Sequence, residues 1–446
     1  MRFLWAILLG KTIASFIRFL KIGGGSAAPG LYALKLDPNL VSKLSSKIPQ
    51  NIVITGTNGK TTTSRMMAHF AKASGLKVIK NQTGSNLERG IASTLISYIH
   101  LGGVLGRHLR YNLGIWELDE AAFNSVAPKL NPKIVVFLNV FRDQLDRYGE
   151  IDTVVKKWSD TLKKLPKETL VLINGDDANT RKLKQYFKGK VYQFGVKDYK
   201  IVGEGIFHQK EKENLDFEAK NVKLNGLKGS SFYLQSSTFR LPINLPLPGI
   251  YHIYDALAAL ACASLLNLPI HRLADTLTYF KPAFGRMEKI YLNPRSHRTP
   301  TSEVGYIFLI KNPAGATQVF QTLAPQIKKE DKLLLALNDN LADGTDVSWI
   351  WDGDFENLQT TNYKLQTVCS GTRAYDLAVR LKYAGFDSKS ITAESELENA
   401  LKQARKGLKG RLFILPTYTA MLELQGILTK SGIKKHYWEE DEKVKS

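Results

Sequence analysis

A chain of 446 residues is too long for one ordinary core and predicts two or three domains, each with its own apolar interior. Its 43% hydrophobic and 23% charged residues exclude a disordered or low-complexity protein, and the formal net charge of +21 favours anionic partners. The basic residues are scattered, with no aromatic-interleaved stripe and no nucleic-acid-reading module, which leaves a phosphorylated or lipid-surface substrate as the expectation.

The apolar run at 3–9 is too short to span a bilayer. Leu9, Ile13, Phe16, Ile17 and Leu20 recur at helical spacing opposite Lys11, Arg18 and Lys21, which predicts an amphipathic helix. Its expected role is docking on the protein's own core, ahead of lying on a membrane. GGGSAAPG at 23–30 is a flexible connector that completes an N-terminal unit over residues 1–46. A short helix at 39–47 then leads to the strand at 51–55.

Apolar runs at 113–118, 134–139 and 169–173, separated by helical patterns, predict a parallel sheet with helices on both faces, hence an α/β nucleotide-binding domain over 47–291. Short alternating runs from 190 to 241 predict a small antiparallel insertion, and helical periodicity resumes at 251–266. The polar stretch at 292–303 is the expected boundary. Strands at 306–310, 332–337 and 412–415 predict a second α/β domain over 304–440, ahead of a solvated tail, HYWEEDEKVKS. Cys262 and Cys369 sit in apolar stretches and read as buried free thiols, which suits a reducing cytoplasm and cannot build a four-cysteine zinc site.

The strongest chemical signal is the strand Ile52-Val53-Ile54-Thr55 running into Gly56-Thr57-Asn58-Gly59-Lys60-Thr61-Thr62. Glycines let backbone N–H groups close on phosphate oxygens, a helix N-terminus adds its dipole, Lys60 reaches the β/γ-phosphates, and the Thr61 hydroxyl can ligate Mg²⁺. The general loop of this kind has a glycine six residues before the lysine; that position is Ile54 here, so the loop is a shortened variant.

GTNGKTT resembles the loop of the Mur ligases and folylpolyglutamate synthases, which form amide bonds through an acyl phosphate. LNPKIVVFLNVFRDQLDRYGE, LINGDDA at 172–178, GIYHIYDALAALA at 249–261 and FGRMEKI at 284–290 are similar to further motifs of that ATPase domain. KNPAGATQV, LALNDNLADGTDVSWIWDGDFE, SGTRAYDLAVRLKYAG and LPTYTAML resemble the C-terminal domain of the MurT family. With GGGSAAPG and NQTGSNLERGIAS, the likeness covers nearly the whole chain.

That resemblance implies the ATP-dependent subunit of a lipid II isoglutaminyl synthase, which amidates the α-carboxylate of D-glutamate in the stem peptide with ammonia from a GatD-type glutaminase. It implies that Lys60 and Thr61 hold phosphates and Mg²⁺, that Glu117 in WELDE is the acidic Mg²⁺ ligand with Glu120 as fallback, and that Arg286 approaches the ATP phosphates. His252 and Asp255 fall where the family usually has asparagines near the nucleotide; a helix-start histidine satisfied by backbone is the alternative for His252. Gln144 stands where many Mur ligases have a histidine, in the DQLD form that MurT sequences share. Asp346 matches the aspartate thought to orient a glutaminase partner's catalytic histidine, and a helix N-cap is its alternative. Trp349 and Trp351 read as core or interface anchors. The zinc ribbon common in MurT proteins has no cysteines here, so no zinc is expected. Two other functions stay open: an amino-acid ligase of the Mur or folylpolyglutamate kind, and a non-catalytic ATP-binding scaffold at a membrane surface. The expected location is cytoplasmic, with peripheral contact at the inner membrane face a further reading.

Overall fold

The computed structural model describes residues 2–19, 27–81, 85–98, 111–141, 151–197, 214–282, 285–293, 303–359 and 363–434. Gln144 and its DQLD motif, Lys21, Phe284, the tail, and parts of the 190–241 insertion and of the 292–303 boundary lie outside them.

Among the described residues the first sheet has nine strands: β1 (Gln50–Thr55), β2 (Val78–Lys80), β3 (Leu113–Glu117), β4 (Ile134–Phe137), β5 (Leu170–Asn174), β6 (Val191–Val196), β7 (Phe217–Leu224), β8 (Ser230–Gln235) and β9 (Arg240–Leu245). They lie in the order β2-β3-β1-β4-β5-β6-β7-β8-β9. Pairing is parallel from β2 through β7 and antiparallel at β7–β8 and β8–β9. Of the segment read as an antiparallel insertion at 190–241, β6 and β7 pair in parallel and β7–β8–β9 form antiparallel hairpins, all continuing the same sheet. Alternation assigns the two faces. Ile52, Ile54, Ile134 and Val136 enter one core cluster, while Val53, Val135 and Phe137 enter the opposite one.

The helices of the first half are α1 (Arg2–Phe19), α2 (Ala28–Leu36), α3 (Leu40–Ser45), α4 (Lys60–Ala73), α5 (Glu88–Tyr98), α6 (Glu120–Leu130), α7 (Ile151–Leu162), α8 (Ala178–Arg181), α9 (Ile250–Leu265) and α10 (Ile270–Thr276). Helix α9 is buried along almost its whole length, and its alanines let it lie against α4 and the sheet. Helix α1 does pack on its own domain, through Ala6 and Ile7 and against α2 and α5. Its orientation differs from the sequence expectation: Leu9 and Phe16 face outward, and Ile13 and Ile17 are half-buried. Both faces of this helix are apolar, so spacing alone could not choose between them.

The second sheet contains β10 (Arg286–Tyr291), β11 (Val304–Phe308), β12 (Lys332–Ala336), β13 (Gln366–Ser370), β14 (Ile391–Ala393) and β15 (Arg411–Pro416), in the order β10-β11-β15-β12-β13-β14. Strand β10 is antiparallel to β11 and the other pairs are parallel. Residues 286–291, assigned from sequence to the first domain, thus form the edge of the second sheet. Backbone pairing with β11 decides this, bringing Arg286 to the site on the second domain's edge strand. Helices α11 (Pro313–Leu323), α12 (Ala374–Tyr383), α13 (Leu397–Arg405) and α14 (Tyr418–Lys430) cover the two faces. Cys262 in α9 and Cys369 in β13 are both buried and free, and burial pushes the Cys369 thiol up to about 12.

The turn after β5 ties the central strands together near the phosphate loop. Asp177 caps α8 through the amides of Asn179 (2.8 Å) and Thr180 (2.9 Å), and its other oxygen accepts from the Val140 amide at 2.9 Å. Desolvation pushes this carboxyl up to about 6 against those hydrogen bonds. A carboxyl whose folded pKa is raised binds protons more tightly in the folded state, so its contribution to stability falls as pH rises from about 4 to about 6 and is flat above. The stability difference between the wild type and Asp177→Asn is expected to grow in the wild type's favour by up to about 3 kcal/mol on acidification from pH 6 to 4. Denaturant titrations of both proteins check this, and a difference independent of pH would contradict it.

Candidate functional site

The loop between β1 and α4 is built so that only glycine serves at its corners. Gly56 has φ +139° and Gly59 has φ +88°. A Cβ on Gly59 would stand 2.2 Å from Asp255 Oδ1, and one on Gly56 would meet the Asn139 backbone at 3.0 Å. Gly59→Ala is expected to cost about 1–3 kcal/mol of stability from backbone strain. Unfolding curves check this; an unchanged midpoint would contradict it.

Asn139, at the end of β4, fastens the loop from below. Its side-chain oxygen accepts from the Asn58 amide at 2.8 Å, its side-chain nitrogen donates to the Asn58 carbonyl at 3.1 Å, and its backbone carbonyl accepts from the Thr57 amide at 3.1 Å. Helix α4 begins at Lys60 with Gly59 as its N-cap and no side-chain cap, so its first-turn amides and the positive end of its dipole face the loop.

The Lys60 amine bonds the Gly56 carbonyl, lies 3.2 Å from the Thr57 carbonyl, and pairs with Glu120 at 3.3 Å. The Thr61 hydroxyl donates to Glu117 Oε2 at 2.8 Å, and Ser64 donates to Glu117 Oε1 at 2.5 Å. Glu117 is 1% exposed and closes β3, where its amide donates to Asn81 Oδ1 at 2.9 Å and its carbonyl accepts from Asn81 Nδ2 at 3.0 Å. Among the expected metal residues, Thr61 and Glu117 are therefore adjacent, whereas Glu120 faces Lys60. Glu117 with the two hydroxyls is an all-oxygen set of the kind a hard dication beside phosphates takes, and it fits Mg²⁺.

Across the loop, His252 and Asp255 lie on the first two turns of α9. His252 Nδ1 is 3.2 Å from Asp255 Oδ2, and Thr63 Oγ1 is 3.5 Å from Asp255 Oδ1. His252 Nε2 is buried, with no hydrogen-bond partner among the described residues. The histidine is thus fixed by a side chain and not by backbone. Burial lowers the His252 pKa and raises that of Asp255, and the Arg286 charge nearby works in the direction of keeping Asp255 ionised. Arg286 is itself lowered by desolvation and feels Asp255, Tyr251 and Glu117.

Asn58, Gly59, Thr62, His252, Asp255 and Arg286 line one cleft, of about 780 Å³ including its open mouth, together with Lys311 and Gln318 of the second domain. Asn58 and Asn312 exchange side-chain hydrogen bonds at 3.2 and 3.1 Å, and Lys311 Nζ reaches the Thr57 carbonyl at 3.3 Å. Asn312 also caps α11 by accepting from the Gly315 amide at 2.8 Å, ahead of Pro313. Residues from both domains therefore hold the same loop.

Asp346 stands apart, exposed in the segment after β12, where its Oδ1 accepts from the Ser348 amide at 2.8 Å and steadies the short turn of Ser348–Trp351. Trp349 is buried in the second core and Trp351 is exposed beside Tyr383, with ring centres 5.6 Å apart. Sequence reasoning did not single out Asn139, Ser64, Lys311 or Asn312. An asparagine before proline at a helix start was the available sign for Asn312. The others act through long-range contacts that carry no local pattern.

The pattern described as Mur ligase middle domain matches residues 54–263, and that described as MurT ligase C-terminal matches residues 309–421. The MurF ligase of Thermotoga maritima, solved in complex with ADP, superposes with a TM-score of 0.63 at 15% identity, over 88% of this chain and 83% of that one. The fold is that of the Mur ligases. The MurT subunit of the glutamine-hydrolysing lipid II isoglutaminyl synthase of Streptococcus pneumoniae is 31% identical over 93% of this chain and 94% of its own length. Its counterpart from Staphylococcus aureus (strain COL) is 29% identical over 91% and 93%. The chain belongs to the MurT family.

Proposed function

We propose that this chain binds ATP with Mg²⁺ on residues 56–62 and amidates the α-carboxylate of D-glutamate in a lipid II stem peptide, giving D-isoglutamine. The observation that carries the reading is the uncapped start of α4, with Lys60 and the Thr61–Glu117 couple beside a cleft walled by both domains. A carboxylate is a poor electrophile because attack adds charge to an anionic centre. Transfer of the γ-phosphoryl group to a carboxylate oxygen releases ADP and makes an acyl phosphate. Ammonia nitrogen then bonds to the carbonyl carbon, phosphate leaves with the C–O electron pair, and the nitrogen loses a proton.

The chain's own residues position and offset charge. The α4 amides and Lys60 take the phosphates, Arg286 approaches them from the second domain's edge strand, and His252 with Asp255 borders the nucleotide. Thr61 and Glu117 would hold Mg²⁺, which when bound offsets charge on the transferring phosphoryl group.

At neutral pH free ammonia is mostly ammonium, which lacks a lone pair, so a glutaminase of the GatD type supplies it from a separate subunit. Asp346 is exposed, as a residue serving that partner must be, and acts there as a positioning residue for a histidine. The test is to feed the purified chain lipid II, ATP and Mg²⁺ with either ammonium or free amino acids. Ammonium is expected to accelerate ATP turnover, and glutamine only once the glutaminase is added. Acceleration by an amino acid would instead make the chain a Mur-type amino-acid ligase, and no ATP turnover at all would leave a binding scaffold.

A further inference from the structure

The outward side of α1 is apolar where a helix docked on its own domain should be polar. While Ala6 and Ile7 are fully buried, Trp5 is 63% exposed, Phe16 60% and Phe19 82%. Leu8, Leu9 and Thr12 complete the stripe between them, all exposed, and the Thr12 hydroxyl is satisfied by the Leu8 carbonyl at 3.0 Å. Spacings of three and four residues put these side chains on one face. Helix α2, packed against α1, adds exposed Leu31, Tyr32 and Leu36, with Lys35 over the Tyr32 ring at 5.4 Å. A patch of this extent marks an interaction surface.

Charge selects the occupant. Residues 1–36 contain Arg2, Lys11, Arg18, Lys21 and Lys35 and no acidic residue. Asp37, the first acid, is buried and bonded to Lys43 at 2.7 Å. A second copy would bring two such basic segments together with nothing to offset them, whereas anionic headgroups offset them and accept the aromatic rings at the apolar boundary. Among the described residues no helix is long and apolar enough to cross a membrane, so the contact is with a surface.

We propose that the outer stripe of α1, with the adjoining face of α2, seats this protein on a bilayer surface rich in anionic phospholipid. The inference goes beyond the proposed reaction and is read without ATP or substrate, so each can fail alone. The full chain is to be sedimented with vesicles containing phosphatidylglycerol and with vesicles of phosphatidylcholine alone. Binding to the anionic vesicles is expected to be roughly ten-fold tighter or more and to weaken with salt. The combined Trp5→Glu, Phe16→Glu, Phe19→Glu variant is expected to lose it at an unchanged unfolding midpoint and ATP turnover, and Arg2→Glu with Lys35→Glu to weaken it. The proposal is overturned if the wild type sediments with neither vesicle or with both alike, or if the triple variant binds as the wild type does. A wild-type dimer that the triple variant makes monomeric would overturn it too.

Discussion

Lys60→Ala is expected to slow ATP turnover and lipid II amidation by about 10²- to 10³-fold at saturating substrate, the scale on which a single charge-stabilising donor acts in a transition state. The side chain is 12% exposed at the first residue of α4, so its charge works in a site largely shielded from water. Its amine gathers the Gly56 and Thr57 carbonyls and Glu120, and truncation leaves the nearly buried Glu120 without that counter-charge. A loss of roughly 1–3 kcal/mol in stability is expected alongside. Assays far below the unfolding midpoint separate the two effects, and turnover within a few-fold of wild type there would contradict the role given to Lys60.

Glu117 is expected to show the second large effect, through a pair of substitutions. Glu117→Ala removes the acceptor of the Thr61 hydroxyl in a place with 1% exposure, while the Ser64 hydroxyl keeps the Thr61 carbonyl at 3.1 Å, so roughly 1–3 kcal/mol of stability should go with one unpaired group. Glu117→Gln keeps the shape and an acceptor but not the charge. It is expected to fold within about 1 kcal/mol of wild type while losing Mg²⁺-dependent turnover by about 10²-fold. Wild-type activity in Glu117→Gln would remove this residue from the metal site.

Much of the first domain was legible because its determinants are local. The β1 strand, the glycines and Lys60 sit within a dozen residues, and α9 is apolar on every side beyond Asp255, as a helix buried in a core must be. What escaped depends on residues far apart in the chain. Strand β10, Arg-Met-Glu-Lys-Ile-Tyr, mixes charged and apolar residues without alternation, and its pairing with β11 is what moves Arg286 into the second domain. The Asn58–Asn312 exchange joins positions 254 residues apart, and neither asparagine announces the other. The direction in which α1 turns could not be read because Trp5, Leu9 and Phe16 compete with Ala6, Ile7 and Ile13 for the inside, and the small Ala6 and Gly10 win by allowing close approach to α2 and α5. A strand at 366–370 went unread for a related reason, since Gln366, Thr367 and Ser370 are polar and break the pattern, yet Thr367 and Ser370 are buried in a strand with parallel neighbours.

The most direct measurement is mass spectrometry of lipid II after incubation with the purified chain, ATP, Mg²⁺ and ammonium. The expected product is lighter by the difference between a hydroxyl and an amino group at the D-glutamate α-carbon carboxyl, with one ADP formed per amide and neither seen with Lys60→Ala. Unaltered lipid II beside wild-type ATP hydrolysis, or an added amino-acid residue in place of the amide, would contradict it.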